Sequence, residues 1–450
     1  MVGKFDLVAI GTGSAASAAA SRCRQAGWKV AIVDSRLFGG TCALRGCDPK
    51  KVFVGVAEAT DWTRRMKGKG IHSEQLGIDW QQLMAFKRTF TEPVPESREK
   101  GFLKAGIEAF HGRARFVGPN SVQVGDNVLD ARYVLIATGQ RPADLGIPGS
   151  EHLTTSDQFL ELDDLPKRIV FIGGGYIAFE FAHVAARAGS QVTILHRGAR
   201  PLVLFDPDLV NLLVQKSRDL GIDVQLGTEA RSVDEVSGHL TVHASCGQQT
   251  REFEADMVVH AAGRVPEFDN LNLEIAAVKW DRKGVKVNEF LQSVSNPAVY
   301  AAGDVADTGG PPLTPVAGYE GVIVAANLLN GNHRKPDYRG IPTAVFTTPP
   351  LASVGLSEEA ARKQGLRFKK KHEATSNWYS SRRVGETCSG YKVLVEENTD
   401  RILGAHLLGG EADEVINLFA LAIRSGISAT DLKHTVFAYP THGSDVPNML

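Results

Sequence analysis

Residues 8–34 read VAIGTGSAASAAASRCRQAGWKVAIVD, and residues 170–196 read VFIGGGYIAFEFAHVAARAGSQVTILH. The second stretch repeats the first: Gly11 matches Gly173, Gly13 matches Gly175, Ala16 matches Ala178 and Gly27 matches Gly189. Each copy runs from a strand through a glycine turn into an Ala-rich helix, stops at a glycine and enters a second β-branched strand. This is a βαβ unit with the fingerprint GxGxxA. The first glycine makes the turn, the second admits a pyrophosphate, and the small third residue lets helix and strand pack closely. The helix amino terminus, Ser14-Ala15 in one copy and Tyr176-Ile177 in the other, faces the phosphates. One fingerprint alone is a weak signal. Two in matching context predict an α/β chain with two Rossmann-like dinucleotide-binding domains.

The copies differ where their second strands end. The first ends at Asp34, a carboxylate placed to hydrogen-bond ribose hydroxyls. The second has His196 there, followed by Arg197 and Arg200. A carboxylate would repel a 2′-phosphate, whereas guanidinium groups bind it. The second site is therefore expected to take NADPH in preference to NADH; the alternative is a pair of solvated surface arginines. Two further segments complete the first site. Val134–Gly139 is a short apolar strand ending in Ala137, Thr138 and Gly139, and Val299–Asp304 is a similar strand ending in Gly303 and Asp304. Asp304 can accept hydrogen bonds from a sugar-alcohol chain.

Just beyond the first unit lies Gly39-Gly40-Thr41-Cys42-Ala43-Leu44-Arg45-Gly46-Cys47-Asp48-Pro49-Lys50-Lys51. Two thiols so close, with glycines that let the backbone press against a flat ligand, can open and close a disulfide beside that ligand. In an intracellular protein such a pair is more often catalytic or metal-binding than structural. A bare CxxxxC leaves metal binding open; the dinucleotide context favours redox chemistry, and no metal site is expected.

The 450 residues are 43% hydrophobic and 22% charged, an ordinary globular balance with room for two to four domains. A formal net charge of −1 gives no basic scaffold for nucleic acid or anionic membrane. The five cysteines, Cys23, Cys42, Cys47, Cys246 and Cys388, are odd in number and mostly scattered, unlike a secreted disulfide framework. The amino terminus enters a strand directly, without the tripartite pattern of a signal peptide. No run approaches the ~18 apolar residues of a membrane span. The expectation is a cytoplasmic protein without nucleic-acid or membrane partners.

With these pieces in place the chain resembles the class I pyridine-nucleotide disulfide oxidoreductases, the group of glutathione reductase, dihydrolipoamide dehydrogenase and mercuric reductase. The resemblance runs from near residue 4 to the last residue. It is carried by GGTCALRGCDPKK, the ATG and GD segments, Leu313-Thr314-Pro315-Val316-Ala317, and Ile341-Pro342-Thr343-Ala344-Val345-Phe346. In detail the sequence is most similar to glutathione and mercuric reductases. The resemblance implies FAD in the first site, at Gly11, Gly13, Ser14, Ala15, Asp34, Gly40, Thr41, Lys50, Ala137, Thr138, Gly139, Gly303 and Asp304. It implies a nicotinamide nucleotide in the second, at Gly173, Gly175, Tyr176, Ile177, Glu180, His196, Arg197, Arg200 and Gly263. It also implies a head-to-tail homodimer built on a C-terminal α+β dimerisation domain. The expected domains are 1–148 for FAD, 149–270 for NADPH, 271–340 as a central domain returning to the flavin, and 341–450 as the interface. The wide apolar helical face within Glu414–Ile423 suits such an interface or a plain core equally.

By the family pattern, hydride passes from NADPH to the flavin, and electrons then pass to the disulfide. Cys47 corresponds to the charge-transfer cysteine and Cys42 to the interchange thiol that attacks the substrate. Attack requires thiolate, and a thiol with a pKa of about 8.5 is mostly protonated at neutral pH. Lys50 corresponds to the lysine beside the flavin, Glu180 to its carboxylate partner, and Tyr176 to the aromatic that covers the nicotinamide pocket. At the carboxy terminus the chain departs from the pattern. Tyr439 stands where the glutathione and lipoamide enzymes have their acid–base histidine, and Ser444 where they have the following glutamate, with Asp445 one place later. A phenol with a pKa of about 10 is a poor general base at pH 7. His442, oriented by Asp445, is one substitute; otherwise Tyr439 donates a proton or shapes the pocket. Ser21 replaces an arginine that binds peptide in glutathione reductase. The ending Val446-Pro447-Asn448-Met449-Leu450 lacks the paired cysteines expected of mercuric reductase, and its amino-terminal metal-binding domain is not seen. The leading expectation is an NADPH-dependent reductase of a low-molecular-weight disulfide. A metal-ion reductase using Cys42 and Cys47 as soft ligands is the runner-up. An NAD-linked dihydrolipoamide dehydrogenase and a non-enzymatic FAD module follow.

Overall fold

Parallel strands covered on both faces require unbroken apolar runs, and β1 (Val2–Ile10) meets this with Leu7, Val8, Ala9 and Ile10 all buried. The computed structural model describes residues 2–450. After β1 comes α1 (Ser14–Gln25), which buries Ala15, Ala16, Ala19, Ala20 and Cys23, and then β2 (Val30–Asp34). Both strands join a seven-stranded sheet, with β1 paired in parallel to β2 and to Asn127–Ile136. The end of Asn127–Ile136 also pairs in parallel with Val299–Ala301. The sheet is doubly covered, and the small side chains of α1 allow close packing against the helix Thr314–Asn330. A Cβ placed on Gly321 would lie 2.3 Å from the Ala15 carbonyl oxygen. Gly11 is held at φ +111 by the same logic: a Cβ there would lie 2.3 Å from the Ala137 oxygen, so only glycine makes this turn.

The chain forms two compact units. The first comprises Met1–Pro49, Phe86–Ala143 and Gly263–Tyr338; the second comprises Lys50–Ala85, Asp144–Ala262 and Arg339–Leu450. The expected central segment 271–340 lies almost wholly in the first unit, because Val299–Ala301 supplies a strand to its sheet. The stretch Lys50–Ala85, in contrast, joins the second. Its Phe53, Val54, Ala57, Trp80, Leu83 and Met84 share one core with Phe159, Phe179 and Phe181.

In the second unit the repeated βαβ appears as strand Arg168–Ile172, helix Tyr176–Arg187 and strand Gln191–His196, within a four-stranded parallel sheet. Its helix is buried from Ala178 to Ala185, and the polar residues it buries, Glu180, His183 and Arg187, recur at helical spacing on one face among apolar neighbours. A five-stranded antiparallel sheet follows, in the order Thr343–Val345, Leu351–Gly355, Ile402–Leu408, Gly390–Glu396, Phe368–Ala374. It packs with the helix Ala412–Ser425, whose Val415, Ile416, Phe419 and Ala422 are buried while Leu421 remains 58% exposed. No described helix is long and apolar enough to cross a membrane.

Candidate active site

The cysteine stretch folds as two helices, α2 (Gly40–Arg45) and α3 (Cys47–Arg65), with Gly46 between them. Cys42 lies on α2, and Cys47 is the first residue of α3, where the helix presents partial positive charge. The start of α2 abuts the first fingerprint: a Cβ on Gly40 would fall 2.5 Å from the Gly13 Cα. This closeness brings Thr41 and Cys42 to the amino terminus of α1. Thr12 braces the same corner, accepting from the Gly39 amide at 3.1 Å and donating to Asp34 Oδ2 at 2.6 Å. Asp34 also accepts from the Thr12 and Arg36 amides, both at 2.9 Å, so much of its acceptor capacity holds the protein's own loops.

The two cysteines are side by side as thiols, not joined as a disulfide. Thr314 Oγ1 lies 3.3 Å from Cys47 Sγ, and Cys42 Sγ lies 3.7 Å from Asp48 Oδ1. The hydrogen bond from Cys42 to Cys47 and burial raise the Cys42 pKa well above the ordinary thiol value, while the Thr314 hydroxyl opposes the rise. Cys42 is therefore a protonated thiol in this reduced arrangement.

The Val299–Ala301 strand delivers Gly303 and Asp304 to a cavity of about 200 Å³ within the first unit, lined also by Gln140, Thr308, Ala317 and Glu320. Glu320 is 1% exposed. It accepts from the Gly303 amide (2.6 Å), the Thr308 hydroxyl (2.8 Å) and the Tyr338 hydroxyl (2.6 Å), and thereby fixes the segment carrying Asp304. Burial raises the Asp304 pKa, against the opposing charge of Arg264. Thr138 donates to the Glu267 carbonyl, and Gly139 turns the chain at φ +74.

In the second unit Lys50 Nζ lies 3.0 Å from Glu180 Oε1, with the two residues only 8% and 3% exposed. The same carboxylate oxygen accepts the Phe346 amide at 2.8 Å, and the Lys50 ammonium sits 3.9 Å from the centre of the Phe346 ring. Tyr176 opens its helix half-exposed, and Ile177 follows it partly buried. His196 does something the sequence did not announce. Its Nε2 donates to the Arg200 carbonyl at 2.9 Å, and its ring lies against Gly174, so it staples the turn that carries Arg197. Arg197 itself is exposed and makes no hydrogen bond or ion pair among the described residues. Arg200 is partly buried and reaches the Val203 carbonyl at 3.4 Å. Gly263 belongs to the first unit, at φ +114 with open space around it.

At the carboxy terminus Tyr439 is 80% exposed, whereas His442 and Asp445 face a small hollow of about 30 Å³ together with Ser381, Ser389 and Gly410. Burial lowers the His442 pKa, partly offset by Asp445, and burial raises that of Asp445, offset by a hydrogen bond from Ser380 and by His442. The expected orientation of His442 by Asp445 takes the form of charge alone: no hydrogen bond joins them among the described residues. Ser444 is engaged locally, donating to the Thr441 carbonyl at 2.6 Å.

Residues 5–321 match the pyridine nucleotide-disulphide oxidoreductases, and residues 341–450 match the dimerisation domain of the same enzymes. The chain belongs to this family. A glutathione reductase from Burkholderia cepacia is 36% identical, over 97% of this chain and 96% of its own length. A mercuric reductase from Staphylococcus aureus is 33% identical, over 98% of this chain and 80% of its own. A Cu(II) complex of the HOCl-induced flavoprotein disulfide reductase RclA from Escherichia coli superposes with a TM-score of 0.89 at 27% identity, covering 99% of this chain and 98% of that one.

As a pyridine nucleotide-disulphide oxidoreductase the protein is a flavin enzyme, and its first unit fits that cofactor. The first turn of α1 has no side-chain cap and no acidic residue. Its amide donors thus remain available to a pyrophosphate, with Gly13 and Gly40 forming a floor that a side chain would fill. Sequence reasoning missed Thr314, Asp48, Glu320 and Phe346 as parts of the site. Thr314 and Phe346 lie inside motifs that marked the family, and Asp48 lies within the cysteine run; Glu320 carried no signal of its own.

Proposed function

We propose that this enzyme is an NADPH-linked reductase of a low-molecular-weight disulfide, acting through Cys42 and Cys47. The observation that carries the reading is the adjacent thiol pair, bracketed by the Thr314 hydroxyl, in the unit whose fingerprint suits FAD. We further propose the division into FAD (1–148), NADPH (149–270), central (271–340) and interface (341–450) domains, and a cytoplasmic homodimer. Val436 and Tyr439, 94% and 80% exposed in the single chain, support a second copy covering them.

FAD, when bound, supplies the two-electron relay between the nicotinamide and the protein disulfide. Gly11, Gly13, Ser14, Ala15, Gly40 and Thr41 hold its phosphates; Asp34 and Asp304 take its hydroxyls; and Ala137, Thr138, Gly139 and Gly303 keep the backbone close. Lys50, held by Glu180, would favour negative charge on the reduced flavin, the role its counterpart has in the family pattern. Gly173, Gly175 and Ile177 receive the nicotinamide nucleotide, Tyr176 covers it, and Arg197 and Arg200 grip its 2′-phosphate. Cys42, deprotonated, attacks one sulfur of the substrate disulfide; that S–S bond breaks and one thiolate leaves. The Cys47 sulfur then attacks the Cys42 sulfur of the mixed disulfide, expelling the second thiolate and closing the Cys42–Cys47 bond. Two electrons have passed to the substrate, and NADPH restores them. The leaving thiolates take protons from Tyr439 or His442. Asp48, at 3.7 Å from the Cys42 sulfur, is a protein acceptor for its proton.

A second reading, reduction of a thiophilic metal ion, is favoured by the mercuric reductase relatives, by the Cu(II) complex of RclA, and by a tyrosine at the histidine position. The deciding experiment is steady-state NADPH oxidation with glutathione disulfide, then with Cu(II) or Hg(II), as sole acceptor. Fast turnover at micromolar disulfide supports the first reading; turnover on the metal ion alone replaces it with the second.

A further inference from the structure

Three polar side chains on one face of the helix Tyr176–Arg187 grip one extended segment. Glu180 accepts the Phe346 amide at 2.8 Å, His183 Nδ1 accepts the Thr348 amide at 3.2 Å, and Arg187 donates to the Thr348 carbonyl at 2.9 Å. Besides the donation from Arg64 of α3 to the Arg187 carbonyl at 3.3 Å, two ion pairs join the same helix to α3. The first junction is Lys50–Glu180. The second is Asp61–Arg187, where Asp61 Oδ1 receives Arg187 Nη2 at 2.7 Å and Nε at 3.2 Å. The Arg187 side chain is 0% exposed and that of Asp61 9%. Arg65 holds the other Asp61 oxygen at 2.7 Å. Burial pushes the His183 pKa well below its ordinary value, so the ring is neutral. With Nδ1 accepting, its Nε2 carries the proton and donates to Ser217 Oγ at 2.9 Å.

The spacing gives this network a purpose. Lys50 and Asp61 lie about three helical turns apart, and Glu180 and Arg187 about two, so each pair occupies one face of its helix. The two junctions run in the same order along both helices. Two helices joined at one end can slide and roll; joined at both, they keep one register. A buried ion pair is weak evidence of stability, since apolar replacement is often neutral or better, so a positional role is the more economical account of it.

We propose that Asp61 and Arg187 are positioning residues that lock α3 against the helix Tyr176–Arg187 in the register at which the Lys50 ammonium meets the Glu180 carboxylate. This rests on the reading of Lys50 as the charge partner of the flavin. A slip of about 1 Å is enough to lower a reaction rate as much as a hundredfold, and it would leave the nucleotide sites intact.

The test uses the FAD-loaded enzyme carrying Asp61→Leu with Arg187→Met, which removes both charges together and leaves neither buried alone. Arg187→Lys serves as the milder variant should the double fail to fold. The control is Lys392→Met with Asp206→Asn, in another buried ion cluster of the same unit, where Lys392 meets Asp206 at 2.7 Å and Asp208 at 2.6 Å. Three readouts are compared: the labelling rate of the Lys50 amine by an acylating reagent, read by mass spectrometry; the rate of flavin reduction by NADPH; and the reduction potential of the bound flavin. The expected result is Lys50 labelling at least tenfold faster in the Asp61/Arg187 variant, flavin reduction at least tenfold slower and KM for NADPH within twofold, while the control moves neither Lys50 labelling nor flavin reduction beyond twofold. Lys50 labelling unchanged, or changed equally in the control, overturns the proposal. Lys50→Met separates the two layers: if that variant leaves flavin potential and reduction rate unaltered, the role given to Lys50 falls, and labelling still judges the register.

Discussion

Replacing Arg197 by alanine tests the nucleotide preference with little disturbance to the fold. The guanidinium is exposed and has no protein partner among the described residues. Its loss should therefore shift stability by no more than about 0.5 kcal/mol. Toward a 2′-phosphate it offers a charge-assisted hydrogen bond, worth about 1.5–3 kcal/mol, and its exposure selects the lower end. About 1.5 kcal/mol corresponds to roughly a tenfold rise in KM for NADPH, with NADH unchanged within twofold. Arg200 is only weakly engaged, 3.4 Å from the Val203 carbonyl. Removing both should approach about a hundredfold if each contributes a similar independent term. His196→Ala should reproduce part of the loss, because it frees the turn that its ring holds through the Arg200 carbonyl at 2.9 Å. The assay is steady-state kinetics with each nucleotide at saturating acceptor, beside thermal unfolding. Equal changes for NADPH and NADH would refute the phosphate clamp, and a large stability loss would show Arg197 to be structural.

Iodoacetamide treatment of the NADPH-reduced enzyme should alkylate Cys42 first; predominant labelling of Cys47 in peptide mass spectra would reverse the roles assigned to the pair. Thr314→Val should move the pH midpoint of Cys42 alkylation upward, because the hydroxyl now lowers that thiol's pKa; a downward shift or none would discard its part in activating the sulfur. His183 is held neutral by burial, with a folded pKa well below the unfolded value near 6.5, so the unfolded chain binds the extra proton. Stability should accordingly fall as pH drops below about 6.5, by up to about 1.4 kcal/mol per unit from this residue. A urea series at pH 7.5 and 5.5 in which His183→Gln leaves that slope intact would sink the assignment. If His442→Ala preserves disulfide turnover while Tyr439→Phe damages it, the displaced histidine is not the acid–base group.

The parts of this molecule that were legible in sequence are those whose pattern is local. The two fingerprints could be read because turn, small residue and helix start fall within a few positions, and both copies fold as that pattern requires. The cysteine pair was legible for the same reason. What escaped was contact between distant segments. Thr314 touches Cys47 from 267 residues away, and Arg187 meets Asp61 across 126, with no periodicity to announce either. His196 could be placed at the strand end but not aimed: its hydrogen bond to Arg200 depends on a turn whose course the sequence leaves open. The assignment of Lys50–Ala85 to the second unit escaped likewise, since it rests on Phe53 and Trp80 sharing a core with Phe159, Phe179 and Phe181 far along the chain.

Proton supply separates the two substrate readings more sharply than the cysteines do. Both chemistries use the same thiols and the two electrons of one NADPH, spent on one disulfide, one Hg(II) or two Cu(II) ions, yet a disulfide yields two thiolates that must be protonated, and a metal ion yields none. In this chain burial lowers the His442 pKa, which takes the proton away from the one imidazole near the position where the family places its acid. The remaining candidate, Tyr439, is a phenol whose side chain is exposed in the single chain. If His442 supplies the proton, disulfide turnover must fall as pH rises from below 6.5, because each unit removes about nine-tenths of the remaining imidazolium. If Tyr439 supplies it, His442→Ala leaves the disulfide profile unchanged. Metal-ion turnover responds to neither group. A pH profile from 5.5 to 8.5, taken on both acceptors, therefore identifies the proton donor and the substrate class together, and a flat metal profile beside a flat but slow disulfide profile would place the enzyme with the metal-ion reductases.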